Sequence, residues 1–151
     1  MTHKLPTFAL AVRQPWAWAI IHAGKDIENR DWRLPNYNGR LSRRGRIAIH
    51  ASAVIGKAEY YTAREFLTKR GVGCPAPCDL TRGGIVGSVE IIDIVSASDS
   101  PWFFGPLGLV LKDPMPHEFI AVKGSLGFFR WHHFVLKSRP HKSAPVWMLR
   151  A

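Results

Sequence analysis

The sequence predicts an α+β fold in one domain, with about five to six mostly antiparallel strands curling into a small barrel or strongly bent sheet flanked by two or more helices. Three observations predict it. Several short, β-branched or apolar runs bounded by glycine and proline read as strands, and two segments with helical apolar spacing read as helices. A length of 151 residues supports one core but not two comfortable ones, and neither an internal repeat nor a linker divides the chain.

Phe8 to Val12 is a short apolar strand. Gln14-Pro15 reads as a helix start, because the missing proline N–H costs nothing in a first turn. Trp16, Ala17, Ile20 and Ile21 form one apolar helical face, and Gly24 is the stop. Lys25 to Trp32 follows as a strand, and Leu34 to Gly45 as a loop ending among Arg40, Arg43, Arg44 and Arg46. Ile47 to Ser52 is a buried strand, with Ser52 placed to cap a helix from about Ala53 to Arg70 and Gly71 beyond it. After a Cys-Pro loop, Ile85 to Val95 is the strongest strand, and its near-continuous apolarity predicts a central position. Gly87 within it predicts a bulge or a close backbone approach. Trp102 to Pro106 is an aromatic turn, more a packed corner than a ligand platform, before a strand from Leu107 to Leu111. Val122 to Phe129 is punctuated by glycine, and Val146 to Leu149 is a last strand. The domain spans 1–151, with its core at about 8–131 and a basic extension at 132–151.

Hydrophobic residues at 46% and charged residues at 21% describe a folded protein rather than a disordered one. The net charge of +10 suits a polyanionic partner, since clustered Lys and Arg release counterions on meeting phosphates. No apolar run approaches the ~18–20 residues of a spanning helix, and no signal-peptide core follows Met1 to Pro6, so no membrane segment is expected. The two cysteines, Cys74 and Cys78, are too few for a structural zinc site, so neither metal nor cofactor is expected. Two reduced thiols in a loop imply a cytoplasmic location.

Lys25 to Trp32 sets a cation, a carboxylate, a guanidinium and an indole at short intervals. If it is extended, Glu28, Arg30 and Trp32 share one face, and Ile27 and Asn29 share the other. Such a face holds the parts needed for a base and its phosphate. The plainer alternative is a surface strand with an ion pair and a half-buried tryptophan.

Gln14-Pro15-Trp16-Ala17, Lys25-x-x-Glu28-x-Arg30, Trp32 and Ile49-His50-Ala51-Ser52 occur in order, followed by Gly84-x-x-Gly87-x-Val89 and Lys123-Gly124-x-Leu126-Gly127. Together, over roughly residues 8 to 131, they resemble the ASCH domain (activating signal cointegrator homology) of the PUA-like superfamily. The resemblance implies a small PUA-like β-barrel flanked by helices. It also implies a cleft between the first helix and the barrel mouth that binds RNA or DNA, lined by the Lys-x-x-Glu-x-Arg stretch. One departure is Ala23 where the family has glycine two residues before the lysine; Gly24 can supply the same backbone freedom.

On these grounds the expected nucleic-acid contacts are Trp16, Lys25, Glu28, Arg30, Trp32, Arg40, His50 and Ser52. Arg30 offers a planar fork for phosphate or a base edge, or else an ion pair with Glu28 or Asp31. Lys25 supplies a point charge. Glu28 accepts from a base amino group or a ribose 2′-hydroxyl, or else anchors the helix–strand turn. Trp16 and Trp32 offer stacking faces, one of the two being structural, and Ser52 is a cap before it is a nucleophile. RNA is favoured over DNA. The alternative is an enzyme on RNA or modified nucleosides. A metal-independent ribonuclease would use Lys25 and His50 with Arg30. Family members that resemble acetylcytidine amidohydrolases have a threonine nucleophile where this chain has Glu28, which disfavours that branch.

Overall fold

The computed structural model describes residues 4–32, 43–137 and 144–149. It contains strands β1 (Phe8–Val12), β2 (Ile27–Arg30), β3 (Gly45–Ala51), β4 (Gly84–Val95), β5 (Leu107–Ala121) and β6 (Phe128–Arg130). Helix α1 (Trp16–His22) lies between β1 and β2, and α2 (Lys57–Lys69) lies between β3 and β4. The strands form one sheet in the order β2-β5-β4-β3-β1-β6 that curls into a half-barrel. Every neighbouring pair is antiparallel except β1 and β3.

Alternation along the strands builds two cores. Leu10, Val12, Ile47, Ile49, Val89, Ile91, Leu109 and Leu111 face α1, whose Ala17, Ile20 and Ile21 fill the concave side. Ala9, Ala48, Ile85 and Val122 face the other way, against Phe129 and Trp131. The outer strands β2 and β6 share no ladder among the described residues. Side chains bridge the seam instead. Trp32, just past β2, packs edge-on against Phe128 with ring centroids 5.4 Å apart, and Arg30 Nη2 donates to the Ala11 carbonyl at 2.6 Å.

Helix α1 begins one residue after Pro15. The buried Gln14 side chain steadies this start, its Oε1 accepting from Trp18 N and its Nε2 donating to Thr81 O, both at 2.8 Å. Gly24 ends it at φ +73°, as the sequence predicts. The predicted cap of α2 is corrected: Gly56, not Ser52, occupies the N-cap. Ile55 before that cap and Tyr60 in the first turn are buried in one cluster with Leu80 and Met148. Apolar residues at those two positions staple the entry of a helix, which keeps residues 52–55 out of it.

Strand β4 lies between β3 and β5, the predicted central position. A Cβ at Gly87 would stand 2.4 Å from the Met115 carbonyl oxygen and 2.8 Å from Ile21 Cδ1, and the β4–β5 register shifts beside it. Gly87→Ala is therefore expected to lower stability by about 1–3 kcal/mol through overpacking. A fall in the urea midpoint at unchanged m would show it.

Strand β5 runs ten residues past its predicted end at Leu111. β2 pairs with it only at 107–110, so beyond that point one edge is open and tolerates Pro114 and Pro116. The predicted strand Val146 to Leu149 is instead a short 3₁₀ turn, Val146–Met148, following Pro145. It docks Met148 beside Tyr60 and Leu80.

Candidate functional site

Where the C-terminal ends of β1 and β3 meet α1 and β2, a concavity of about 720 Å³ opens, within the size range of small-ligand sites. Trp16, Lys25, Glu28, Arg30, His50 and Ser52 all line it. Six of the eight residues singled out in the sequence thus meet in one place. Trp32 does not: it is 7% exposed and packed into the concave core against Phe128. Alternation turns it to the same side as Glu28 and Arg30, but there the half-barrel is already filled. Arg40 lies outside the described residues, as do Arg139, His141 and Lys142 of the basic extension. The remaining arginines of that run face protein groups. Arg44 pairs with Asp93 at 3.3 Å, Arg46 donates to Ser88 Oγ and Asp113 O, and Arg43 lies over Phe8.

The floor is an ion cluster. Lys25, 3% exposed, donates through Nζ to the Ile27 carbonyl and lies 3.2 Å from Glu28 Oε1. The other carboxylate oxygen of Glu28 lies 3.1 Å from Arg30 Nη2. One carboxylate therefore serves two cations. The turn at Gly24 produces this: it brings Lys25 back toward α1, where the Lys25 amide donates to Ala19 O at 3.1 Å and its ammonium faces the Trp16 ring at 5.6 Å. Arg30 retains a buried Nε–H without an acceptor.

Aromatic rings form one wall. Trp16 meets Phe66 edge-on at 5.6 Å and Phe104 at 6.4 Å, and Phe104 lines the concavity. Asn29 fixes this wall, accepting through Oδ1 from the Phe104 and Gly105 amides at 2.7 and 3.1 Å and donating to Trp102 O at 2.9 Å. The opposite rim is the loop 124–127, whose Leu126 is 91% exposed. Phe104 and this loop are among the lining groups that sequence reasoning missed, as are Arg13 and Asn29. Phe104 was hidden because an aromatic run beside Gly-Pro reads as a packed corner, which describes buried Trp102. For the loop, the bracketing glycines were the available signal.

His50 is 1% exposed. Its Nε2 lies 2.7 Å from the Val122 carbonyl, so Nε2 carries the proton and donates, leaving Nδ1 an unpartnered acceptor. Gly124 covers this edge so closely that a Cβ there would sit 2.9 Å from Cε1. Burial lowers the pKa of His50, outweighing the bond to Val122, which raises it. Between the lowered folded value and the ordinary value of about 6.5, the unfolded chain binds a proton that the folded chain does not. His50 thus contributes stability that is full above about pH 6.5 and lost as the pH falls. Unfolding free energies between pH 7.5 and 5 should decline by up to about 1.4 kcal/mol per pH unit from this group. His50→Gln, whose amide can still donate to Val122, should flatten the profile; equal slopes in both proteins would refute the assignment.

Cys74 and Cys78 are free thiols, and burial raises the pKa of Cys74, whose Sγ lies 3.8 Å from Tyr60 Oη. Among the described residues no group of three or more His, Cys, Asp or Glu is placed to hold a metal, and no helix is long and apolar enough to cross a membrane.

The ASCH domain family model matches residues 10–112. Human activating signal cointegrator 1 is 29% identical over 126 residues, covering 72% of this chain. The matched part spans only 20% of that relative's length.

Proposed function

The chain belongs to the ASCH domain family, and on that premise we propose that it is a nucleic-acid-binding module that seats a phosphate and its nucleoside in the concavity beside α1. The family is associated with RNA binding in general, and RNA is the partner favoured here, with DNA second. One observation carries the reading: a single carboxylate is shared by two cations, leaving a net positive charge on the lining of a concavity. A phosphate completes that arrangement, since a guanidinium fork matches its oxygens. Arg30 is the phosphate ligand. Lys25, held by Glu28 and Ile27 O, positions Glu28 instead of reaching the ligand. Trp16 and Phe104 offer ring surface to the base, and Glu28 or Ser52 can meet ribose or base hydroxyls and amines. The free thiols of Cys74 and Cys78 fit a cytoplasmic protein.

The test is equilibrium binding of a labelled single-stranded RNA at stepped salt concentrations. Affinity should fall linearly on a log–log plot and the RNA should remain intact. No binding at 50 mM salt overturns the proposal.

A second reading, a metal-independent ribonuclease, draws on the gathering of Lys25, Arg30 and His50 around the concavity and on the neutral, unpartnered Nδ1 of His50. It predicts RNA fragments formed in chelator and lost in His50→Ala.

A further inference from the structure

Resting on that reading, we propose that the seam between β2 and β6 is a second anchoring site for the same partner: a track on which a single strand of RNA leaving the concavity lays its phosphates. Cations and rings alternate along it. Arg30 lies 5.7 Å from the Trp32 ring, Trp32 packs on Phe128, and Arg43 lies 5.1 Å over Phe128 and 4.0 Å over Phe8. Arg130, across from Phe8 in the ladder, lies 5.2 Å from the same ring. A guanidinium held against a ring face keeps its in-plane N–H donors directed outward.

Arg43 and Arg130 differ from their neighbours in being uncompensated. Arg44 has Asp93, and Arg13 has Glu59, whereas neither Arg43 nor Arg130 has a carboxylate partner among the described residues. The rim of the concavity also runs along the chain into the seam. The rim loop ends at Gly127, and β6 begins at Phe128. From Val12 at the mouth back to Phe8 is four residues of strand, or about 13 Å. A short ligand seated on Arg30 does not cover that distance; a longer strand does. The two arginines therefore add affinity through charge and without base selection.

Fluorescence anisotropy with a labelled dinucleotide and a decauridylate, each at 50 and 200 mM salt, tests this. The wild-type protein should bind the decamer at least tenfold more tightly than the dinucleotide. Arg43→Gln with Arg130→Gln should remove most of that advantage, reduce the log–log salt slope for the decamer by about 1.4, and leave dinucleotide binding within twofold. The paired lysine replacements should retain the slope. Arg130→Gln alone, at an exposed position, should remove about half the effect and covers the case in which the double variant melts early. Unchanged decamer affinity and slope in folded glutamine variants would overturn the track while leaving the concavity intact, as would equal loss for both lengths. Wild-type protein that binds neither ligand overturns both proposals.

Discussion

Arg30→Ala is expected to weaken binding of single-stranded RNA by about 10–150-fold at 50 mM salt, the equivalent of the ~1.5–3 kcal/mol of a charged hydrogen-bonded contact. Arg30 is placed for such a contact. It lines the concavity, pairs with Glu28, donates to Ala11 O, and still has an unfilled Nε–H. Arg30→Lys should keep the charge but not the fork, so it should recover part of the affinity and most of the salt dependence. A side chain serving only to bridge the seam would give another pattern: lower thermal stability in both variants with unchanged RNA affinity. Anisotropy and thermal melts on the same samples separate the two.

Glu28→Ala is expected to cost about 3–5 kcal/mol of stability, because it leaves the nearly inaccessible ammonium of Lys25 facing only a backbone carbonyl and a ring. Glu28→Gln, which keeps an acceptor without the charge, should cost less. Lys25→Met should relieve part of the loss in the alanine variant, since it removes the least accessible unpaired cation while Arg30, more exposed, keeps its bond to Ala11 O. Urea titrations of the four proteins form a double-mutant cycle, and additive costs would show that Lys25 and Glu28 do not depend on each other.

Much of this was legible in the chain because local signals agreed with the final packing. Gly24 ended α1 and Gly87 marked a close approach; each position is one where a side chain is strained or excluded. Alternation predicted a face shared by Glu28, Arg30 and Trp32; the first two line one concavity, whereas Trp32 is buried against Phe128. What was illegible depended on partners remote in sequence. Ser52 looked like a cap until the burial of Ile55 against Tyr60, Leu80 and Met148 decided where α2 starts. The expected end of β5 at Leu111 falls ten residues short because nothing local says that one edge of that strand is unpaired and can carry prolines. Phe104 became a wall only through Asn29, about 75 residues earlier in the chain.

The pairing of β1 with β6 has a consequence for biosynthesis. Phe8 and Arg130 lie about 120 residues apart in the sequence yet are ladder partners. As the chain emerges from the ribosome, β1 has no neighbour on that flank until about 120 further residues have been made. Its bare hydrogen-bonding edge is then a template for the wrong strand, a hazard that lasts as long as translation of the intervening segment.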